Sequence, residues 1–172
     1  MADVNDVFDQ FVTDRCALFN GDCIQGMQKL PSGSVHFTVY SPPFGGLYHY
    51  SSNDRDLSNC ADYGEFLKHY EYVVAEKARI TMAGRMTAVH CMDVPRSNSG
   101  TDSYIDFPGD IIRLHEKHGW KYAGRHMIWK EPLEVRLRTM QKNLAHASLC
   151  ADSIDAGVAS GDYLLLFRNA GQ

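Results

Sequence analysis

The chain has 172 residues, of which 44% are hydrophobic and 22% are charged, and its formal net charge is −4 at pH 7. This composition is ordinary for one globular domain with a sizeable core. We find no signal peptide and no apolar run long enough to span a bilayer, and therefore expect no membrane partner. Because the net charge is negative, any nucleic-acid partner must meet a local basic surface.

Cysteine usage indicates a reducing compartment. An odd number of cysteines without Cys-x-x-Cys spacing argues against both a disulfide framework and a zinc site. We therefore predict free thiols, a cytoplasmic protein and no metal site. His90 and Cys91 are adjacent but have no second ligand pair at metal spacing, so we predict that both pack in the core. The five cysteines are Cys16, Cys23, Cys60, Cys91 and Cys150.

Residues 1–14 form an acidic N-terminal arm, with four aspartates and neither lysine nor arginine. Val4, Val7, Phe8 and Phe11 recur at near-helical spacing, which predicts a short amphipathic helix. Such a helix either covers a basic partner or lies solvated on the surface.

Strand and helix patterns alternate through residues 15–172, which predicts an α/β fold. A helix between two buried strands makes those strands parallel neighbours, so both end at one edge of the sheet. Asp22 is placed to cap the first helix, Asp62 and Glu65 form a capping box before the second, and Gly84 follows that helix as a stop. The predicted elements are a strand over 16–19, a helix over 23–29, a strand over 35–40, a helix over 62–82, a strand over 86–92, a helix over 107–118, a strand over 120–129, a basic helical segment over 130–147 and a strand over 162–168.

The strand over 35–40 runs directly into Ser41-Pro42-Pro43-Phe44. Two prolines cannot join a sheet ladder, so the strand ends there in a stiff turn. In open α/β sheets, ligands bind at the carboxyl ends of the strands. The Pro42 carbonyl and the Ser41 hydroxyl can accept both hydrogens of an exocyclic amino group, and Phe44 offers a face on which a base can stack.

Ser41-Pro42-Pro43-Phe44 resembles motif IV of the amino-group DNA methyltransferases, [Asp/Asn/Ser]-Pro-Pro-[Tyr/Phe/Trp]. From Gly21-Asp22 onward, the order of motifs over residues 15–169 resembles the β-class of that family, and especially phage- and prophage-type enzymes. The resemblance implies a Rossmann-like sheet, S-adenosylmethionine as methyl donor and double-stranded DNA as partner. It also implies methylation of a flipped base at cytosine N4 or adenine N6, and a serine in the first slot favours cytosine.

The resemblance also implies roles for individual residues. A loop with Tyr48 and Tyr50 would contact DNA, although an ordinary surface loop remains open. Residues 130–160 would form a target-recognition segment, although a basic helix can also be a solvated face. The implied catalytic residues are Ser41, Pro42, Pro43 and Phe44; the cofactor contacts are Asp22, Cys23, Tyr40 and Ser41; the basic DNA contacts are Lys130, Arg136, Arg138 and Lys142.

One departure from the family pattern is large. The sequence has no Phe-x-Gly-x-Gly loop to cradle the methionine part of the cofactor, so cofactor binding by this chain alone is in doubt. The family sheet would also need two more central strands beside the strand over 35–40, which is left with an open edge. We predict a fragment of a longer enzyme, a C-terminal half on a separate chain, or a second copy covering that edge; the strand over 16–19 could also fill the gap.

Two other functions stay open. The chain could be a catalytically inactive DNA-binding or decoy module derived from such an enzyme. It could also be a hydrolase using Ser41, although no Gly-x-Ser-x-Gly elbow surrounds that serine and Pro42 blocks the helix that would follow.

Overall fold

A computed structural model describes residues 7–44, 49–95, 103–139 and 161–171. It confirms the predicted α/β class. A short 3-10 turn covers Leu57–Asn59. The remaining elements, in chain order, are β1 (Val7–Val12), β2 (Ala17–Gly21), α1 (Cys23–Gln28), β3 (Val35–Tyr40), α2 (Tyr63–Ile80), β4 (Thr81–Met92), β5 (Val94–Pro95), β6 (Tyr104–Ile105), α3 (Phe107–Lys117), β7 (Trp120–Trp129), α4 (Pro132–Thr139) and β8 (Gly161–Asn169).

The central sheet is mixed, with the strand order β3-β4-β8-β7. β3 and β4 are parallel, as predicted from the helix between them, and β8 is antiparallel to both β4 and β7. Tyr40 is paired with Val89, and Met92 is paired with Asp162. The carboxyl ends of β3 and β4 therefore lie next to the amino end of β8, on the same side of the sheet along the strand direction.

Helices α2 and α3 pack their apolar faces against one face of this sheet. The Asp62 side chain accepts from the Glu65 amide at 2.8 Å, and the Glu65 carboxylate accepts from the Ala61 amide at 2.6 Å. The cap therefore forms as predicted, with the return bond one residue earlier. The main core side chains are Phe66, Tyr70 and Val74 of α2, Phe107 and Ile111 of α3, and Val89, Cys91, Leu165 and Phe167 of the sheet.

The predicted N-terminal helix is wrong, because Val7–Val12 is a strand. It pairs antiparallel with Ala17–Gly21, and the Thr13 amide donates to the Cys16 carbonyl at 2.7 Å to close the hairpin. β-branched and aromatic residues suit a strand once a partner strand lies within reach. Within the described residues this hairpin is a sheet of its own. The expectation that the strand after Cys16 fills the gap beside β3 is therefore also wrong.

The predicted helix stop at Gly84 is wrong as well. Helix α2 ends at Ile80 and β4 begins at once, with the Asn169 amide donating to the carbonyls of Ala78 and Thr81 at 3.0 and 2.6 Å. The side chain of Asn169, on β8, thus satisfies carbonyls at the end of α2 that have no partner within the helix. Gly84, with φ of 79°, lies instead in the irregular part of β4, where only glycine adopts this backbone easily.

β3 is an end strand of the sheet, as the sequence predicts. Phe37 and Val39 lie on the face opposite Tyr40 and are 57% and 66% exposed. The described part of the chain therefore presents an open edge that carries large apolar side chains. No helix within the described ranges has the length and apolar character needed to cross a membrane.

Candidate active site at the carboxyl end of β3

Ser41 lies beside His90, because Tyr40 and Val89 are paired in the parallel ladder between β3 and β4. The exposed Ser41 hydroxyl donates to the His90 carbonyl at 3.1 Å. The Nδ1 atom of His90 also lies 3.3 Å from the same hydroxyl. The predicted serine is thus accessible and in direct contact with an imidazole.

The contact continues across the sheet through two charged residues. His90 Nε2 lies 2.5 Å from the Asp162 carboxylate, and Lys130 Nζ lies 2.5 Å from the same oxygen. We call Ser41, His90, Asp162 and Lys130 the charged network. Its members come in the order of the strands: after β3, on β4, on β8 and directly after β7.

The register of the sheet places these side chains together. His90 is paired with Leu164, so Asp162 is its diagonal neighbour on the same face. Asp162 is also paired with Ile128, and Lys130 follows two residues later on the same side. Residues far apart in the sequence therefore meet because three strand registers agree.

The charges in the network determine where the histidine proton lies. Asp162 is 1% exposed, and a buried carboxylate must be paired and hydrogen-bonded to remain ionised. It receives the Lys130 ammonium and one imidazole N–H. We therefore assign the proton of neutral His90 to Nε2, which leaves Nδ1 as an acceptor facing Ser41.

Phe44 completes this wall of the site. It is half-buried, and its ring centroid lies 5.9 Å from that of His90 and 6.1 Å from that of Phe107. The structure therefore brings the predicted Ser41 and Phe44 together around His90. Pro42 is buried and Pro43 half-buried between them.

Tyr40, the residue before Ser41, faces the opposite side of the sheet. Its hydroxyl lies 2.6 Å from the Tyr70 hydroxyl and 3.3 Å from His115 Nε2. We call Tyr40, Tyr70 and His115 the core network. The Tyr40 hydroxyl is therefore bonded within the core. The predicted cofactor contact by Tyr40 stays a prediction.

The members of the core network are electrically neutral. Burial lowers the pKa of His115 to about 4, and burial raises the pKa of Tyr70 well above its usual value. His115 Nδ1 lies 2.8 Å from the Ile111 carbonyl, to which it donates, so Nε2 is the acceptor for Tyr40. The ring of His115 also stacks on Phe167 at 4.2 Å, which identifies it as a satisfied core histidine.

Lys77 is a buried cation beside the core network. It is 6% exposed, and its ammonium lies 3.4 Å from the centroid of the Tyr40 ring. Burial lowers its pKa to about 8. The helical pattern of α2 could not identify it, because a long lysine on an apolar face normally reaches solvent.

The predicted cofactor residues Asp22 and Cys23 stand at the start of α1. The Asp22 carboxylate accepts from the amides of Ile24 and Gln25, both at 2.9 Å, so it caps the helix as predicted. Asp22 is half-buried and Cys23 is exposed. Their cofactor contacts stay predictions.

The predicted DNA contacts are only partly within the described residues. Tyr50 is 64% exposed, whereas the Lys130 ammonium is engaged by Asp162. Arg136 and Arg138 are on α4, but their side chains lie outside the described part. Tyr48, Lys142 and residues 140–160 also lie outside it, so these DNA contacts stay predictions.

Sequence reasoning missed His90 and Asp162. Cys91 is fully buried as predicted, but His90 is not a core residue, because its side chain is 31% exposed and turned to Ser41. The available signal was the position of His90 near the end of a strand parallel to β3. The pairing of β4 with β8, which brings Asp162 to it, leaves no mark in the local sequence.

No group of three or more His, Cys, Asp or Glu within the described ranges is arranged to hold a metal ion. The four cysteines in those ranges are free thiols, in agreement with the prediction.

Solved structures share this fold. A protein assigned as a DNA modification methylase from Thermus thermophilus, in complex with S-adenosyl-L-methionine, superposes with a TM-score of 0.59 at 20% identity, covering 88% of this chain and 52% of that one. PvuII DNA methyltransferase, which is cytosine-N4-specific, superposes with a TM-score of 0.59 at 12% identity, covering 87% of this chain and 47% of that one. No protein-family profile and no curated protein sequence matches. The chain thus has the mixed α/β fold of these structures and spans about half their length.

Proposed function

We propose that this chain is the base-binding part of an S-adenosylmethionine-dependent DNA methyltransferase that acts on the exocyclic amino group of cytosine (N4) or adenine (N6). One observation carries the proposal: Ser41-Pro42-Pro43-Phe44 lies at the carboxyl end of β3, with an exposed serine hydroxyl and a half-buried ring next to each other. Fold-sharing methylases support it. Ser41 in the first slot makes cytosine the first target to test.

The chain's own residues bind and orient the base. A base flipped out of the duplex stacks on Phe44. The Ser41 hydroxyl and the Pro42 carbonyl accept its amino hydrogens and draw the nitrogen lone pair out of conjugation with the ring. Fixed acceptors placed where positive charge develops on the nitrogen supply catalysis by positioning and electrostatics.

We expect Asp22 to contact one end of the cofactor. The half-buried Asp22 carboxylate, at the start of α1, can accept from hydroxyl or amino groups of an adenosine. When bound, S-adenosylmethionine supplies the methyl group as an electrophilic sulfonium carbon. The sequence has no Phe-x-Gly-x-Gly loop for the methionine end. The methionine end of the cofactor must therefore be bound by residues other than Asp22 and its neighbours.

We propose that those residues dock at the open edge of β3. Phe37 and Val39 are exposed there, and the solved structures that share the fold are about twice as long as this chain. A C-terminal half with further strands, or a second copy of the chain, would pair with β3 and bury both side chains. Double-stranded DNA would be held by Tyr48, Tyr50 and the basic segment after β7.

The test is methyl transfer from radiolabelled S-adenosylmethionine to duplex DNA, with mass spectrometry of the product nucleosides. The chain is assayed alone and with a candidate polypeptide that has the glycine-rich loop. We expect N4-methylcytosine or N6-methyladenine, and a loss of about 100-fold or more in Ser41→Ala and Phe44→Ala. Ser34→Ala, at an exposed loop serine, is the matched control. Transfer by the complex that is equal in all variants contradicts the proposal.

The docking edge is tested separately by binding of that polypeptide in calorimetry. Phe37→Lys with Val39→Lys should abolish binding, because the edge then carries charge. Tyr72→Lys is the control, since Tyr72 is 65% exposed on α2. Unchanged binding of the double variant would place the partner elsewhere.

The first alternative is a DNA-binding module that has lost the cofactor site. The absent glycine-rich loop and the half-length match favour it. Titration separates the two functions: DNA binding without methyl transfer under every combination of partner and cofactor supports the module.

The second alternative is a hydrolase, favoured by the contacts from Ser41 to His90 and from His90 to Asp162. A serine nucleophile also needs N–H donors for the developing oxyanion. Pro42 and Pro43 have none, so the two residues directly after Ser41 contribute no donor to that hole. Labelling of Ser41 by a fluorophosphonate would favour the hydrolase.

A further inference from the structure

We infer that the charged network is the outlet for the proton that the base amino group gives up, with Ser41 Oγ as the bridge and His90 Nδ1 as the acceptor. This inference rests on the proposed function and deepens it. It assigns His90, Asp162 and Lys130 a part in the reaction. The sequence motif around Ser41 does not include these residues.

The geometry provides a path of two hydrogen bonds. Ser41 is exposed, and its Oγ lies 3.1 Å from the His90 carbonyl and 3.3 Å from His90 Nδ1. Its proton can therefore point to either atom by rotation about one bond. The 3.3 Å between Oγ and Nδ1 is a long hydrogen bond, of the kind that tightens when a ligand binds, and this pair is the one that would pass the proton.

The step conserves atoms and charge. The amino nitrogen forms a bond to the methyl carbon of a sulfonium donor, whose carbon–sulfur bond breaks with both electrons going to sulfur. The nitrogen then bears a positive charge and one hydrogen too many. That hydrogen passes to Ser41 Oγ while the hydroxyl proton of Ser41 passes to His90 Nδ1. The nitrogen recovers its lone pair, Ser41 is unchanged and His90 becomes an imidazolium.

The neighbours of His90 suit a temporary positive charge. Ser41 faces it from the end of β3, Asp162 from β8, and Lys130 through Asp162 from the end of β7, while the Phe44 ring lies 5.9 Å away. Asp162 and Lys130 cancel, so the network is neutral before the step and carries one positive charge after it. The Asp162 carboxylate stabilises the imidazolium directly.

The partial exposure of His90 allows it to return to the neutral form. The His90 side chain is 31% exposed, so the imidazolium can release its proton to water after the step. His115 in the core network has no such exit, since it is fully buried. Of these two histidines, His90 therefore has the surroundings of a proton acceptor.

The first test reads the proton positions in the full chain without DNA or cofactor. Long-range ¹⁵N–¹H NMR, assigned with His90→Gln, should show neutral His90 with its proton on Nε2 and strongly deshielded by Asp162. Ser41→Ala should keep that tautomer, whereas Asp162→Asn should lose the deshielding. A proton on Nδ1 in the wild-type chain overturns the inference, because that atom could then accept nothing. The wild-type spectrum alone decides this, even if Asp162→Asn does not fold.

The second test uses the assembly that shows methyl transfer. His90→Gln should lower the rate by about 100-fold and remove the acidic limb of its pH profile, while DNA binding is kept. His69→Gln, at an exposed histidine of α2, is the control.

The outcomes distinguish the inference from the proposed function. Wild-type transfer with an unchanged rate and pH profile in His90→Gln overturns only the inference. Absence of transfer by the wild-type assembly, under conditions where it binds DNA and cofactor, overturns both.

Discussion

Two adjacent residues, Tyr40 and Ser41, begin two histidine networks on opposite faces of the same sheet. The core network leads from Tyr40 to a fully buried His115 and contains only neutral groups. The charged network leads from Ser41 to a partly exposed His90 and contains a carboxylate and an ammonium. The difference shows that the position and the partners of a histidine, and not its residue type, decide whether it is enclosed in the core or stays partly exposed among charged groups.

The largest expected difference between the two networks is in stability. His115→Ala should lower the free energy of unfolding by about 3 kcal/mol, because it leaves a cavity beside Phe167 and removes one of the two hydrogen-bond partners of Tyr40. His90→Ala should cost about 1 kcal/mol, since Lys130 still pairs with Asp162. Urea denaturation measures both. Equal losses of stability in the two variants would contradict the difference between the two networks.

Acid should act through the core network. The pKa of His115 is lowered from 6.5 to about 4, so below pH 6.5 the unfolded chain takes up a proton that the folded chain refuses until about pH 4. Its contribution is complete above pH 6.5 and is lost as the pH falls to about 4, by about 3 kcal/mol in all. The measurement is the stability difference between wild type and His115→Gln as a function of pH. A difference that is constant over this range contradicts the assignment.

Lys77 should respond in the alkaline range. Its pKa is lowered from 10.5 to about 8, so burial of the charged form opposes folding below pH 8, and stability rises between pH 8 and 10.5. Lys77→Met should add about 2 kcal/mol at pH 7 and remove that rise. Lys68→Met, at an exposed position of the same helix, should do neither. A destabilised Lys77→Met variant would show that the contact with the Tyr40 ring outweighs desolvation.

The smallest effect concerns one hydroxyl of the core network. Tyr70→Phe removes the group 2.6 Å from the Tyr40 hydroxyl and should cost about 1 kcal/mol. Because Tyr40 keeps His115 as a partner, methyl transfer should be unchanged. Tyr72→Phe, at an exposed tyrosine of α2, is the control. A loss of transfer in Tyr70→Phe would connect the two networks functionally.

Local sequence patterns were enough for most elements. The alternation over Val35–Tyr40 and the amphipathic face of α2 each gave the correct element, and the prolines after Ser41 correctly ended β3. The same reasoning failed for Val7–Val12, where spacing fitted a helix but hairpin pairing prevailed. Periodicity describes one segment at a time and does not include the partner that a segment meets.

The candidate site was predictable only in part, for a related physical reason. Ser41 and Phe44 belong to one turn, so four letters place them together. His90, Asp162 and Lys130 meet through the registers of β4, β8 and β7, which depend on packing of the whole sheet. The burial of Lys77 could not be predicted from the sequence either, because the aromatic ring that its ammonium contacts belongs to another element.

Under the proposed function, the pair Pro42 and Pro43 would limit which nucleobases can bind. Both residues offer a backbone oxygen and no N–H, and the Ser41 proton is directed to His90, so this corner can accept hydrogen bonds but gives none to a ligand. Uracil, thymine and hypoxanthine would set a carbonyl oxygen against these lone pairs and be repelled. A methyltransferase of the proposed kind would therefore leave deaminated cytosine or adenine in a damaged duplex unbound.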